Sequence, residues 1–128
     1  MTKPISTRAH GIIDLAYAAA LIALPFAFRW SSRATQLSVG TGLATLGVSL
    51  LTKYEFGMVP VIPMKGHLAM DAAESSLLMA APRVLGSRDG DAAKVLATFG
   101  AVGAIVGSLT QMRSPLELQR RQLELGFA

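Results

Sequence analysis

Along this chain the charge-depleted, apolar positions gather into four blocks, at about 11–28, 35–52, 68–86 and 92–112, with short polar stretches between them. Each block is roughly 18 to 21 residues long, and about 20 helical residues at a 1.5 Å rise cross a hydrocarbon core near 30 Å. The pattern predicts an all-α chain, a four-helix transmembrane bundle. Blocks two and four lack acidic residues through most of their length and are rich in small ones. Gly40, Ala44 and Gly47, with Gly100, Gly103 and Gly107, recur at spacings of three and four. Such spacing lets helix backbones approach closely where packing has to replace the hydrophobic effect, so these six positions are the expected helix-packing surfaces. In a water-soluble helix each glycine would cost about 1 kcal/mol relative to alanine.

The blocks also repeat. A 57-residue offset lays His10 on His67, Asp14 on Asp71, Ala16 on Ala73, Leu21 on Leu78, Ala23 on Ala80 and Pro25 on Pro82. Blocks two and four follow with an offset of 60, which matches Gly40 to Gly100, Ala44 to Ala104 and Gly47 to Gly107. A helical hairpin used twice is the implied unit. Two spans per unit return the chain to its starting side, so the copies are expected as tandem parallel repeats about an axis near the membrane normal. Their bounds are about 8–52 and 67–112, with a linker over 53–66 and a tail over 113–128, all in one integral-membrane domain of residues 1–128. Pro60 and Pro63 resist helix, which predicts an extended or turning linker across one membrane face. In the tail, Ser114, Pro115 and Glu117 form a capping-box pattern that predicts a short surface helix.

Composition strengthens the membrane reading. The chain is 52% hydrophobic and only 16% charged, where about 25% charged is usual for soluble domains. The formal charge of +4 is modest, and lysines and arginines lie at block boundaries. That distribution excludes a nucleic-acid stripe and suits anionic lipid head groups. Without cysteine, neither disulfides nor thiolate metal sites can form. Lys3 and Arg8 ahead of an apolar run resemble a signal peptide. Asp14 inside that run, and the downstream copy of the segment, argue that it stays in the mature protein. Lys3, Arg8, Lys53, Lys65, Arg113, Arg120 and Arg121 fall on the side of the termini and linker, against Arg29, Arg33, Arg83, Arg88 and Lys94 opposite. This excess predicts cytoplasmic termini.

Three ionisable groups in a greasy segment are the candidate chemistry. His10 with Asp14, and His67 with Asp71, are spaced i and i+4, on one helix face at about 5 to 6 Å between Cβ atoms. They lie about one turn inside the interface, where an ionised group costs less than at the midplane. Pseudo-symmetry predicts one polar cluster of His10, Asp14, His67 and Asp71, with Glu74 close by. Such a set suits a divalent metal, a haem held by two histidines, or a proton relay. The plainer alternative has each pair satisfying itself and knitting the hairpins together. Glu74 has Tyr17 at its counterpart position, and a Tyr17–Glu74 hydrogen bond is expected. Pro25 and Pro82, about 22 Å along their helices from the histidines, mark a kink or a helix end.

"HGIIDLAYAAALIALPFAF" and "HLAMDAAESSLLMAAPRVLG", joined by "LTKYEFGMVPVIPMKGHL", resemble the two-repeat members of the SPW-repeat family of small bacterial membrane proteins. The family's Ser-Pro-Trp signature stands here as Leu24-Pro25-Phe26 and Ala81-Pro82-Arg83. The resemblance implies a multi-pass protein of the bacterial inner membrane and brings no established activity or catalytic residue with it. No phosphate loop, zinc-protease helix or nucleophile elbow occurs, so an enzyme is not the expectation. The leading expectation is a non-catalytic structural or accessory membrane component, packed against itself or a larger complex and without a cofactor. Against it stand a metal- or haem-binding membrane protein and a small proton-coupled transporter.

Overall fold

The computed structural model describes residues 2–126, whose regular secondary structure is all helical, with no β-strand among them. Six α-helices follow in order: α1 (Thr7–Ala27), α2 (Ser32–Leu51), α3 (Met64–Met79), α4 (Ala81–Leu85), α5 (Gly90–Leu109) and α6 (Pro115–Glu124). A 3-10 turn, Ser87–Asp89, leads into α5. α1, α2 and the segment Ser87–Leu109 are each long and apolar enough to cross a membrane. The third apolar block is different. It divides into α3 and α4 at Ala80, two residues before Pro82, because proline has no N–H to bond the carbonyl four residues back.

Serine side chains set the first two helix starts. Ser6 Oγ accepts from Ala9 N at 3.1 Å, and Ser31 Oγ accepts from Ala34 N at 3.2 Å, satisfying backbone donors that have no intrahelical partner. Between α1 and α2, Arg29 takes a left-handed conformation (φ 52°), and Trp30 N–H bonds Pro25 O at 2.9 Å. Gly86, also at positive φ (75°), ends α4.

α1 packs along α2, and α3 along α5, with α4 also resting on α5. The apolar core lies near the α1–α2 and α4–α5 turns, where Leu21, Ala34, Leu78, Ala81, Leu85, Ala92, Ala93 and Leu96 are buried together. Large apolar side chains also point outward along the helices, among them Ile12, Leu15, Leu43, Val102, Ile105 and Leu109. Hydrocarbon outside the bundle would leave those positions at no cost.

At the opposite end two parallel bridges close the structure. Ile5 pairs with Thr110, and Thr52 pairs with Ile62. The linker turns and folds back on the end of α2, with Gly57 N bonding Tyr54 O at 3.2 Å and Met58 N bonding Leu50 O at 2.8 Å, and it gives way to α3 already at Met64. Lys53 N bonds Ile62 O at 2.8 Å, and Val61 N and Ile62 N both bond Leu51 O. α6 begins with the full capping box formed by Ser114 and Glu117.

Candidate metal centre between α1 and α3

Four of the five expected polar residues meet at the end of the helices that holds the bridges. His10 and Asp14 come from α1, one and two turns in. His67 and Asp71 hold the matching places on α3. The two Nε2 atoms face each other at 3.2 Å, with ring centroids 5.1 Å apart. Each is ringed by both carboxylates. His10 Nε2 lies 3.0 Å from Asp71 and 3.3 Å from Asp14; His67 Nε2 lies 3.0 Å from Asp14 and 3.2 Å from Asp71. The shorter contact in each case crosses between helices. The notion of two self-satisfied i, i+4 pairs is therefore corrected, since α1 and α3 complete each other's site.

The outer ring nitrogens settle the tautomer. His67 Nδ1 is 2.7 Å from Thr52 Oγ1, and His10 Nδ1 is 2.8 Å from Thr110 Oγ1. Each threonine hydroxyl already donates its one proton backward, Thr52 to Val48 O and Thr110 to Val106 O, both at 2.6 Å. The hydroxyl oxygens are thus left as acceptors, and Nδ1 must be the donor. In the neutral imidazoles, Nε2 then presents a lone pair. Two lone pairs and two carboxylates then converge on one point, a repulsive set unless a cation lies among them or the Nε2 atoms take up protons and donate to the carboxylates.

The four donors are gathered closely enough to share one small cation. Bonds of about 2.0 to 2.2 Å from zinc to imidazole nitrogen or carboxylate oxygen give tetrahedron edges of about 3.3 to 3.6 Å. The Nε2–Nε2 and Nε2–Oδ contacts run from 3.0 to 3.3 Å, so they reach only the lower edge of that range and are otherwise shorter, and Asp14 meets the two histidines through different oxygens. One ligand atom from each of the four residues lies within 4.8 Å of every other. Two carboxylates balance a divalent charge, and the threonines supply the outer hydrogen bonds that metal-bound histidines characteristically have. A haem does not fit, because a porphyrin would have to lie between two axial nitrogens separated by 3.2 Å.

Ser49 Oγ donates to Asp14 Oδ2 at 3.1 Å. Asp71 has no such hydroxyl and instead borders a cavity of ≈ 20 Å³ shared with Asp14, Tyr17, Glu74, Val102 and Val106. One water molecule fits such a volume. Glu74 stands on this wall outside the cluster, 2.5 Å from Thr45 Oγ1. The expected Tyr17–Glu74 bond does not form, because Tyr17 donates to Phe99 O at 2.8 Å.

The other expected positions divide by surroundings. A Cβ on Gly100 would meet Ser75 O at 2.6 Å, and one on Gly103 would meet Ser75 Oγ at 2.7 Å, so both permit close helix approach. Gly40, Gly47 and Gly107 have open space where a Cβ would stand, and Ala44 lines a surface groove between α2 and α3. Pro25 lies inside α1 two residues before its end, and Pro82 opens α4.

Sequence reasoning missed Thr52, Thr110, Ser49, Gly42 and Gly11. Gly42 packs against α1, where a Cβ would stand 3.0 Å from Ala18 O. Gly11 lets the linker rings lie against α1, since its Cβ would fall 2.7 Å from Tyr54 and 2.4 Å from Phe56. Tyr54 is buried beside His67, and its hydroxyl has no partner among the described residues. Burial raises the pKa of that phenol and keeps it neutral. A signal for the threonines was present: the 60-residue offset sets Thr52 against Met112, whereas an offset of 58 sets it against Thr110 and Gly42 against Gly100.

No family model, curated protein or solved structure matches the chain.

Proposed function

We propose that this is a four-span membrane protein whose two hairpins are clamped by one divalent, zinc-like metal ion bound to His10, Asp14, His67 and Asp71. The observation that carries the reading is the convergence of two Nε2 atoms and two carboxylates, one donor atom from each lying within 4.8 Å of every other, with both outer nitrogens held by threonine. Four protein ligands leave no open coordination position, which is the pattern of a structural rather than a catalytic metal. The role is therefore that of a non-catalytic membrane component, held in shape by the ion.

α3 and α4 together act as the fourth span in this reading, with the break at Ala80 inside it. The hairpins are tandem and parallel, supported by the like placement of the His/Asp pairs and by matching ends of α2 and α5, where Thr52 and Thr110 share φ −86° and ψ near 145° and 142°. The resemblance to the SPW-repeat family belongs to the same proposal, as does a bacterial inner membrane with the linker end facing the cytoplasm. The outward face of Gly40, Ala44 and Gly47 supports self-association or docking into a larger membrane complex.

Elemental analysis of protein purified in detergent tests the clamp. One ion per chain is expected, absent from the His10→Ala, His67→Ala double variant, with a chelator lowering the thermal midpoint of the wild type alone. Affinity should rise with pH, because the ligands bind only after shedding protons. A metal-free chain indifferent to chelator would refute the clamp. The carboxylate-lined cavity favours a second reading, a proton relay through Asp71 and Glu74. Its mark would be pH-driven uptake into proteoliposomes, abolished by Asp71→Asn.

A further inference from the structure

A different end-on surface carries an unabsorbed charge pattern. Beside α6 lies a groove of ≈ 450 Å³ lined by Lys53, Lys65, Arg113, Arg120 and Arg121, with Glu117 and Glu124 as its acidic members. Among the described residues, none of the five cations has a carboxylate oxygen within 4.0 Å. Glu117 is already engaged, accepting from Met64 N–H at 3.2 Å and from Ser114 N–H at 2.9 Å. The groove at the other end of the helices is balanced, with Arg29 and Arg88 facing Asp89 and Asp91. Of these two grooves, only the one beside α6 has an excess of positive charge in its lining.

The groove is also built rather than left to side-chain chance. Glu117 ties α6 to the first residue of α3, and Ser114 Oγ donates to Lys53 O, so three separate chain segments hold the cations around one opening. At 100° per residue, Glu117, Arg120, Arg121 and Glu124 share the face of α6 toward the groove. Leu116 with Leu123 flank it on one side, and Leu118 with Leu125 on the other, all four exposed. Cations bordered by outward leucines, at the level where α2 and α5 end, match a lipid with an anionic head and apolar tails.

We propose that this groove binds the headgroup of an anionic phospholipid, with its phosphate among Lys53, Lys65, Arg113, Arg120 and Arg121 and with α6 lying in the interface. The assignment rests on the membrane reading and is independent of the metal clamp. A nucleic acid is a poorer occupant, since the flanking leucines offer nothing to a sugar-phosphate chain.

The test is native mass spectrometry of the full chain in neutral detergent, titrated with phosphatidylglycerol, phosphatidylcholine or inorganic phosphate. Retention of phosphatidylglycerol over phosphatidylcholine is expected, reduced about tenfold or more in Arg120→Gln/Arg121→Gln and in Lys53→Gln/Lys65→Gln. Arg29→Gln/Arg88→Gln should bind like the wild type. Circular dichroism identifies any variant that fails to fold, and the two groove variants alter different segments. Equal retention by a folded groove variant, or no preference between the lipids, would overturn the assignment. Displacement of the lipid by millimolar inorganic phosphate would also overturn it, in favour of a soluble anion. A chain that stays dispersed without detergent would instead refute the membrane reading beneath it.

Discussion

The α1–α2 pair and the α3–α5 segment meet the same problem, a proline late in an apolar helix, and resolve it differently. In α1, Pro25 cannot bond Leu21 O, but Ser38 on α2 donates to that carbonyl at 2.6 Å and the helix continues to Ala27. In the second segment, Pro82 frees Leu78 O in the same way, and the residue on α5 at the place of Ser38 is Leu96, fully buried. No hydroxyl is available there, and the helix breaks at Ala80. The serine-to-leucine difference on the facing helix thus accompanies the difference between a continuous helix and a broken one. The His/Asp cluster shows the same partial likeness. Both histidines have a threonine, whereas only Asp14 has a serine, and Asp71 opens toward the cavity.

The strongest way to break the comparison is at the ligands. If the two segments contribute equally, His10→Ala and His67→Ala should each weaken metal binding by more than about 100-fold, the upper range for outer-shell changes alone. Isothermal titration would show it, and a large loss in only one variant would end the equivalence. Thr52→Val and Thr110→Val remove only the acceptor that orients each ring, and a smaller loss of about 10 to 100-fold is expected from either. Thr45→Val, which touches Glu74 rather than a histidine, should leave titration of the metal unchanged.

Packing gives the next, smaller effects. Gly100→Ala should destabilise the bundle by about 1 to 3 kcal/mol, because its Cβ would press on the α3 backbone. Gly42→Ala, with slightly longer approaches, should cost less, and Gly40→Ala should stay within about 0.5 kcal/mol. Unfolding in detergent followed by Trp30 fluorescence would rank them. Ser38→Ala is expected to cost about 1 kcal/mol by stranding Leu21 O. Amide exchange should quicken near Pro25 alone, bringing α1 closer to the behaviour of α3 and α4.

Much was legible in the residue order, and the misses have identifiable causes. Rare residues at fixed offsets brought out His10, Asp14, His67 and Asp71, and the capping box at Ser114 appeared as read. Hydroxyl residues are too common for Thr52 and Thr110 to stand out, and an offset wrong by two residues hid their correspondence. Tyr17 and Glu74 occupy corresponding places on different helices, yet each bonds the neighbouring α5 or α2 instead, a choice made by helix rotation.

By itself the sequence determined that the chain is helical, where its apolar stretches lie, and that each histidine shares a helix face with its aspartate. These follow from local periodicity and composition, which neighbouring residues alone set. The tertiary structure decided that carboxylates pair across helices, that threonines at distant helix ends bond the outer imidazole nitrogens, and that Ser38 meets the carbonyl freed by Pro25. Those outcomes depend on the separation and rotation of packed helices, to within about an ångström, and no linear pattern encodes that distance.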